Sequence, residues 1–319
     1  MNIFKGKIVT VTGAAGSIGS EICRKLVRCG VHRLKCFDNS EYGLYRLSQE
    51  LKSNENVRYL LGDVRDGNRL QRAIFDSDFV IHAAALKHVK FCEFNPDEAF
   101  KTNVVGTQNI VDSCRKANVE HCILISTDKA VKPTSVMGTT KSLAEKIFMN
   151  APERSITNKT KFTAVRFGNV FGSAGSVIET FHGQISNNEK ITLTDENISR
   201  YFMSISDACD LVLQCFERSS GDKIFILKMK KAKIIDIAKS MNSILNPGST
   251  LSFKITGLLP GEKFDEMLLD DVESRNCVET ESFYIISKDK SDKKINLKDT
   301  YMSGEELNTL IKDWLGSRR

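Results

Sequence analysis

Ser126-Thr127-Asp128-Lys129 sets a hydroxyl, a carboxyl and an amine in direct succession at the end of an apolar run, and Lys141 stands one turn beyond Met137 in the helical pattern that follows. Such groups move protons. A carboxyl kept neutral in a closed site can donate one, an amine made easier to deprotonate by burial or a nearby cation can accept one, and a hydroxyl can hold or relay one. The Met137 thioether can do none of this, so proton transfer falls to Thr127, Asp128 and Lys129. The chemistry expected is acid–base work on a hydroxylated substrate. The plainer alternative for this run is a turn with a capping aspartate and an exposed lysine.

The elements that must position these residues follow from periodicity. Strand-like apolar runs at residues 7–12, 34–37, 57–61, 79–83, 122–126 and 162–167 alternate with helical patterns, among them 18–29, 99–116 and 137–148. That alternation predicts an α/β protein with a Rossmann-like doubly wound parallel sheet. In such folds ligands bind beyond the carboxyl ends of the strands, where Thr127, Asp128 and Lys129 fall, and this favours a site over a plain turn. After Phe167 the pattern loosens into glycines and polar residues and resumes as short strands and helices, which predicts a smaller α/β substrate-binding lobe. The expected division is residues 1–167 for the cofactor domain and 168–319 mainly for the lobe. A stretch at about 204–240 is expected to return and pack on the first domain.

Gly13-Ala14-Ala15-Gly16-Ser17-Ile18-Gly19 lies between the first strand and the first helix, so its backbone N–H groups can approach a pyrophosphate at a helix N-terminus. Three features support a dinucleotide there. Asp38, followed by Asn39 and Ser40, closes the second strand, where a carboxylate can accept from ribose hydroxyls and repel a 2′-phosphate, favouring NAD over NADP. Asp63 and Val64 follow the third strand, where a carboxylate can meet the adenine amino group. Ala83, Ala84 and Ala85 follow the fourth, small enough to let a cofactor lie against the backbone, while His82 reads as a packed histidine.

Composition excludes several classes. The net charge of +6 comes from lysines and arginines scattered along the chain, without the aromatic interleaving of a nucleic-acid face. Nine cysteines without a C-x-x-C pair, several inside apolar runs, predict reduced core thiols and no metal site. No apolar run nears the roughly 20 residues that span a bilayer, and no signal-like segment precedes the first strand, so a soluble cytoplasmic protein without membrane insertion is expected.

The G-x-x-G-x-x-G spacing, Asn103-Val104-x-Gly106-Thr107 and Ser126 to Val131 together resemble the extended short-chain dehydrogenases that act on nucleotide sugars. More narrowly, the chain resembles the bacterial polysaccharide-biosynthesis UDP-N-acetylglucosamine 4,6-dehydratases. The segments that carry this likeness are Ala83-Ala84-Ala85-Leu86-Lys87-His88-Val89, Thr127 through Gly138 with Lys141, Arg166-Phe167-Gly168-Asn169-Val170, Gly175-Ser176-Val177-Ile178, Arg200-Tyr201-Phe202-Met203 and Pro260-Gly261-Glu262-Lys263. In the wider superfamily the position of Met137 is a tyrosine that exchanges the substrate proton. One branch of the dehydratases carries methionine there, and it includes membrane-anchored enzymes with helices ahead of the glycine motif.

The resemblance implies a tightly bound NAD recycled in each turnover and a UDP-sugar substrate. It implies catalytic roles for Thr127, Asp128, Lys129, Met137 and Lys141, and further cofactor contacts from Asn103, Ser126, Phe167, Gly168 and Val170. Substrate contacts are implied for Lys87, His88, Thr127, Asn169, Ser176, Val177, Arg200, Met203 and Glu262, with Arg200 as a diphosphate clamp and Glu262 at the nucleotide ribose. A homodimer or higher homo-oligomer is also implied. The acceptor of the C4 hydroxyl proton stays open among Lys129, Asp128 and water. Alternative activities are a C5-inverting dehydratase, a GDP-sugar dehydratase and a non-catalytic NAD(P)-binding sensor, with the Asp38-Asn39-Ser40-Glu41 segment leaning toward the C5-retaining branch.

Overall fold

A computed structural model describes residues 2–152, 159–287, 294–295 and 297–317. Strands β1 (Ile8–Thr12), β2 (Arg33–Asp38), β3 (Val57–Leu61), β4 (Phe79–His82), β5 (His121–Thr127) and β6 (Lys161–Phe167) form a parallel sheet in the order β3-β2-β1-β4-β5-β6. The strand order reverses between β1 and β4, which opens a crevice at their carboxyl ends. Most of these strands are buried along their length, and their near-continuous apolar runs, such as Cys122 to Ile125, are what a sheet covered on both faces requires.

Helices α1 (Ser17–Arg28), α2 (Glu41–Glu50), α3 (Gly67–Ile74), α4 (Val89–Phe94), α5 (Pro96–Ala99), α6 (Gly106–Lys116) and α7 (Val136–Met149) connect the strands. The single helix expected at 99–116 is instead α5, a π-helical turn over Phe100–Val105, and α6. Close packing belongs to this change. A Cβ on Gly106 would lie 2.8 Å from Val64 Cγ2, and the wider turn aims Asn103 back at the segment after β4.

The second half contributes β7 (Asn169–Val170), β8 (Ile191–Leu193), β9 (Ser199–Met203), β10 (Lys223–Leu227), β11 (Lys230–Lys233), β12 (Phe253–Ile255), β13 (Cys277–Glu279) and β14 (Phe283–Ile286), with helices α8 (Val177–Ser186), α9 (Ile205–Arg218), α10 (Ile234–Leu245) and α11 (Gly304–Ser317). Within residues 204–240, α9 and β10 join the first half: Ala208, Leu211, Val212, Cys215 and Phe216 pack with Ile22, Leu26 and Val9, and β10 extends the sheet beside β6. By contrast, β11 and α10 bury Ala232, Ile237, Ala238 and Met241 in the lobe around Phe171 and Trp314, while β14 and β13 return to the sheet edge. The lobe sheet β11-β9-β7 therefore hangs from β6 by the short link at Gly168, directly beyond the carboxyl end of β5.

Candidate active site

The crevice between β1 and β4 holds a cavity of about 390 Å³ lined by Gly13, Ala15, Gly16, Asp38, Asn39, Ser40, Asp63, Val64 and Ala83 to Ala85. Its walls are largely backbone. Gly13 has φ +67°, and a Cβ there would come within 2.6 Å of the Ala84 nitrogen; one on Gly19 would lie 2.0 Å from the Gly13 oxygen. No larger residue fits either place without moving main chain, so the β1 turn, the head of α1 and the segment after β4 sit in direct contact. Ala15 and Ser40 donate their backbone N–H groups to the two oxygens of Asp38, each at 2.9 Å, which fixes that carboxylate at the cavity wall.

Gly62 and Leu86, which the motifs include without a role of their own, complete this wall with four residues the sequence reading did not single out as site residues, Phe37, Arg65, Glu98 and Thr102. Arg65 matters most, because its guanidinium takes the Asp63 carboxylate at 2.6 Å and reaches Glu98 at 2.5 Å. Burial would raise the Asp63 carboxyl, but the hydrogen bonds from Arg65 outweigh it and hold the group below the usual carboxylate range. The adenine contact expected of Asp63 would thus share that carboxylate with a salt bridge.

Beyond β5, a one-turn 3₁₀ helix over Asp128–Ala130 turns Asp128 inward, and Thr127 caps it by accepting the Lys129 N–H at 3.4 Å. Asp128 is fully buried. Its Oδ1 accepts from Thr127 Oγ1 at 2.9 Å and from Lys129 Nζ at 3.1 Å, while Oδ2 is buried without a hydrogen-bond partner. Lys129 Nζ also donates to Asn169 Oδ1 at 3.0 Å. Thr127, Asp128, Lys129 and Asn169 therefore form one connected group where β5 meets the lobe strand β7. An orphaned buried carboxylate oxygen costs about 1–3 kcal/mol, and it offers the missing place for a ligand hydroxyl.

Lys141 is buried one helical turn after Met137, with its ammonium donating to the Ile125 carbonyl at 2.7 Å; burial pushes it down to about 8, with Glu145 partly opposing. Met137 packs against Cys92 and Ala99. His82 is a core residue as expected from its setting. Thr107 donates to the Asn103 carbonyl, so its oxygen accepts from His82 Nε2, and Thr12 donates to Nδ1 at 2.8 Å. Burial first, and Lys141 second, push this imidazole down to about 3.

Several expected site residues are placed differently. Asn103 uses its amide on the Leu86 backbone, at 2.8 and 3.1 Å, and on Thr140, so it ties the segment after β4 to α7 while Thr102 faces the cavity. Ser126 donates to Glu145 at 2.6 Å beneath the site because alternation along β5 turns it inward. Phe167, Val170 and Met203 pack in the sheet core, and Val177 packs against the lobe core. Gly168 lies against Tyr201, where a Cβ would meet the ring-bearing carbon at 2.7 Å.

Arg200 departs most from expectation. Its guanidinium is buried and donates to the carbonyls of Ser199, Phe264 and Lys263 at 2.7–2.8 Å, with Glu262 at 3.5 Å, so it holds the 262–264 turn. Glu262 folds back on its own turn, accepting from the Leu259 N–H at 3.2 Å and Thr194 at 3.3 Å. Backbone carbonyls reached the guanidinium because β9 runs beside this loop, a juxtaposition no local pattern announces. Lys87 lies 3.4 Å from Ser173, His88 packs edge-on to Phe91, and Ser176 stands at the N-cap position of α8 with its buried hydroxyl making no hydrogen bond. Ser17 accepts from the Ala174 N–H at 3.0 Å, bringing this lobe loop to the head of α1. No cluster of three or more metal-ligating side chains occurs among the described residues, and no helix there is long and apolar enough to cross a membrane.

Comparison with known proteins places this geometry. The family described as polysaccharide biosynthesis protein matches residues 9–288. A Methanocaldococcus jannaschii protein described as an uncharacterized membrane protein is 41% identical, covering 98% of this chain and 97% of its own length. A Campylobacter jejuni UDP-N-acetylglucosamine 4,6-dehydratase (inverting) is 38% identical across 89% of this chain and 84% of that protein. Among solved structures, Pen from Bacillus thuringiensis superposes with a TM-score of 0.93 at 36% identity, covering 98% of this chain and 99% of that one.

Proposed function

The chain belongs to the polysaccharide biosynthesis protein family, and from that premise we propose that it is an NAD-dependent 4,6-dehydratase of UDP-N-acetylglucosamine. One observation carries the reading: a buried carboxyl with an orphaned oxygen and a lysine amine, 3.1 Å apart, stand together at a carboxyl strand end. The relative from C. jejuni supports the substrate class.

The crevice fits the cofactor. Gly13 and Gly19 let the backbone approach, Gly16 heads α1, and Asp38 keeps free acceptor capacity for ribose hydroxyls while opposing a 2′-phosphate. When bound, the nicotinamide supplies removal of hydride from C4 and its return at C6. Lys141 holds positive charge at the adjoining strand end.

The side chains divide the remaining work. Thr127 meets the C4 hydroxyl, and its own hydrogen bond to Asp128 at 2.9 Å gives that proton a route to the carboxylate. Lys129 takes the C5 proton, which the neighbouring ketone has made acidic. Asp128 then passes its proton to the departing C6 hydroxyl, which leaves as water, and Lys129 returns its proton to C5. Both side chains end the turnover as they began it.

Reprotonation of C5 on the original face gives the retained sugar, and on the opposite face the inverted one. The name of the C. jejuni relative makes inversion the second reading. NMR of the product formed from UDP-N-acetylglucosamine in D2O tests both. A 4-keto-6-deoxy sugar with solvent deuterium at C5 and no net NADH is the expected result, and C5 configuration chooses the face; an unchanged sugar, or stoichiometric NADH, overturns the proposal.

A further inference from the structure

We propose that Glu266 is a positioning residue for Lys129, brought to the acid–base group by the lobe loop that follows the Pro260-Gly261 turn. This inference rests on the dehydratase reading for its catalytic consequence, while the contact itself stands on geometry.

Glu266 is 5% exposed, an unusual depth for a carboxylate in a loop. Its Oε1 lies 3.6 Å from Lys129 Nζ, and its Oε2, which forms no hydrogen bond, lies 3.3 Å from Lys263 Nζ. An ammonium has three donors. Those of Lys129 have three oxygens to face: Asp128 on its own turn, Asn169 from β7 and Glu266 from the loop. The amine, on a stem of four rotatable carbons, is thereby held from three sides, by its own turn and by two distant segments. Behind Glu266, Lys263 donates to the Val131 carbonyl at 2.8 Å, so the pair also ties the loop to the segment after the 3₁₀ turn. The neutral Tyr201 phenol also stands near Asp128 and donates to Asp299 at 2.5 Å.

The loop is pinned on both sides of Glu266 by buried guanidinium groups. Arg200 grips the carbonyls of Lys263 and Phe264, and Arg166 grips the Leu268 carbonyl at 3.0 Å together with Glu273 and Glu145. Leu268 and Leu269 anchor the same stretch in a small core with Tyr201 and Ile226. A loop fastened through its main chain and its apolar side chains holds a charge in place as a strand would. Glu266 therefore links lobe position to the aim of the base.

Two measurements test this. In the first, kcat and KM are compared for Glu266→Ala, Glu266→Gln and Glu266→Asp, with C5-deuterated and ordinary substrate. Loss of aim predicts a fall in kcat of about 10²-fold with KM unchanged, a larger deuterium effect on kcat because C5 cleavage becomes slower, and partial recovery in Glu266→Asp. In the second, acylation of Lys129 by a small amine reagent is followed by peptide mass spectrometry, with surface lysines as internal references. Freeing the amine from one of the three oxygens that hold it predicts several-fold faster modification in Glu266→Gln. Equal acylation rates, or an unchanged kcat in an otherwise active enzyme, overturn the role of Glu266. A wild-type protein inert toward the sugar overturns the dehydratase reading instead, and the acylation comparison still decides whether Glu266 holds Lys129.

Discussion

The crevice after β1 and the strand end after β5 sit on the same edge of one sheet, yet they are built from opposite materials. The crevice is made of backbone: missing Cβ atoms at Gly13 and Gly19, small alanines after β4, and N–H groups that fix Asp38. The strand end is made of charge: Asp128, Lys129, Glu266 and Lys263 converge from β5 and the lobe. The first holds a ligand through shape, which tolerates little change in volume. In the proposed reaction the second acts through proton position, which tolerates little change in chemical group.

That contrast can be broken from either side. The largest effect is expected at the charged end, where Lys129→Ala or Asp128→Asn should lower dehydration at least about a thousandfold while leaving the NAD content of the purified protein unchanged. A variant that lost its cofactor along with activity would show that the two regions are not separable.

Gly19→Ala probes the backbone-built side. A Cβ at 2.0 Å from the Gly13 oxygen forces the β1 turn and α1 apart, so a loss of stability of about 3 kcal/mol and of bound cofactor is expected. Chemical denaturation and absorbance of the released nucleotide measure it. Full stability with normal cofactor would mean the turn is looser than the contact implies.

A smaller effect separates the two regions by pH. The folded state holds His82 neutral, with its proton affinity pushed down to about 3 from the usual 6.5 by burial. The unfolded chain therefore binds the extra proton first as pH falls, so the stability contributed is present above pH 6.5 and is lost on going down toward 3. Between pH 7 and pH 5 His82 should account for about 2 kcal/mol of the fall seen in urea denaturation, beside a loss of the same sign from His121, which burial pushes down to about 4, and the His82 share should vanish in His82→Gln. A stability curve flat over that range would place His82 in contact with water.

Much of the crevice was legible in the sequence because each of its parts is local. An apolar run, a glycine turn and an amphipathic helix such as Ile18, Ile22, Cys23 and Leu26 declare a βα unit within a few residues, and Asp38 and Asp63 follow their strands by the same logic. Alternation could also have warned that Ser126 points inward from β5. Less was legible at the loop. Glu262 drew attention through the turn motif, yet it is Glu266, one helical turn later in sequence but in no helix, that reaches Lys129.

The sequence by itself determined the α/β class, the parallel sheet with a glycine turn after its first strand, and the succession of hydroxyl, carboxyl and amine at Thr127, Asp128 and Lys129, because hydrophobic period and side-chain chemistry are properties of neighbouring residues. Only the tertiary structure decided that Arg200 grips a loop, that α9 and β10 complete the first half while α10 does not, and that a carboxylate from far along the chain sits beside Lys129. Burial and ion pairing depend on which distant segments meet, and residue types at short range carry no record of that meeting.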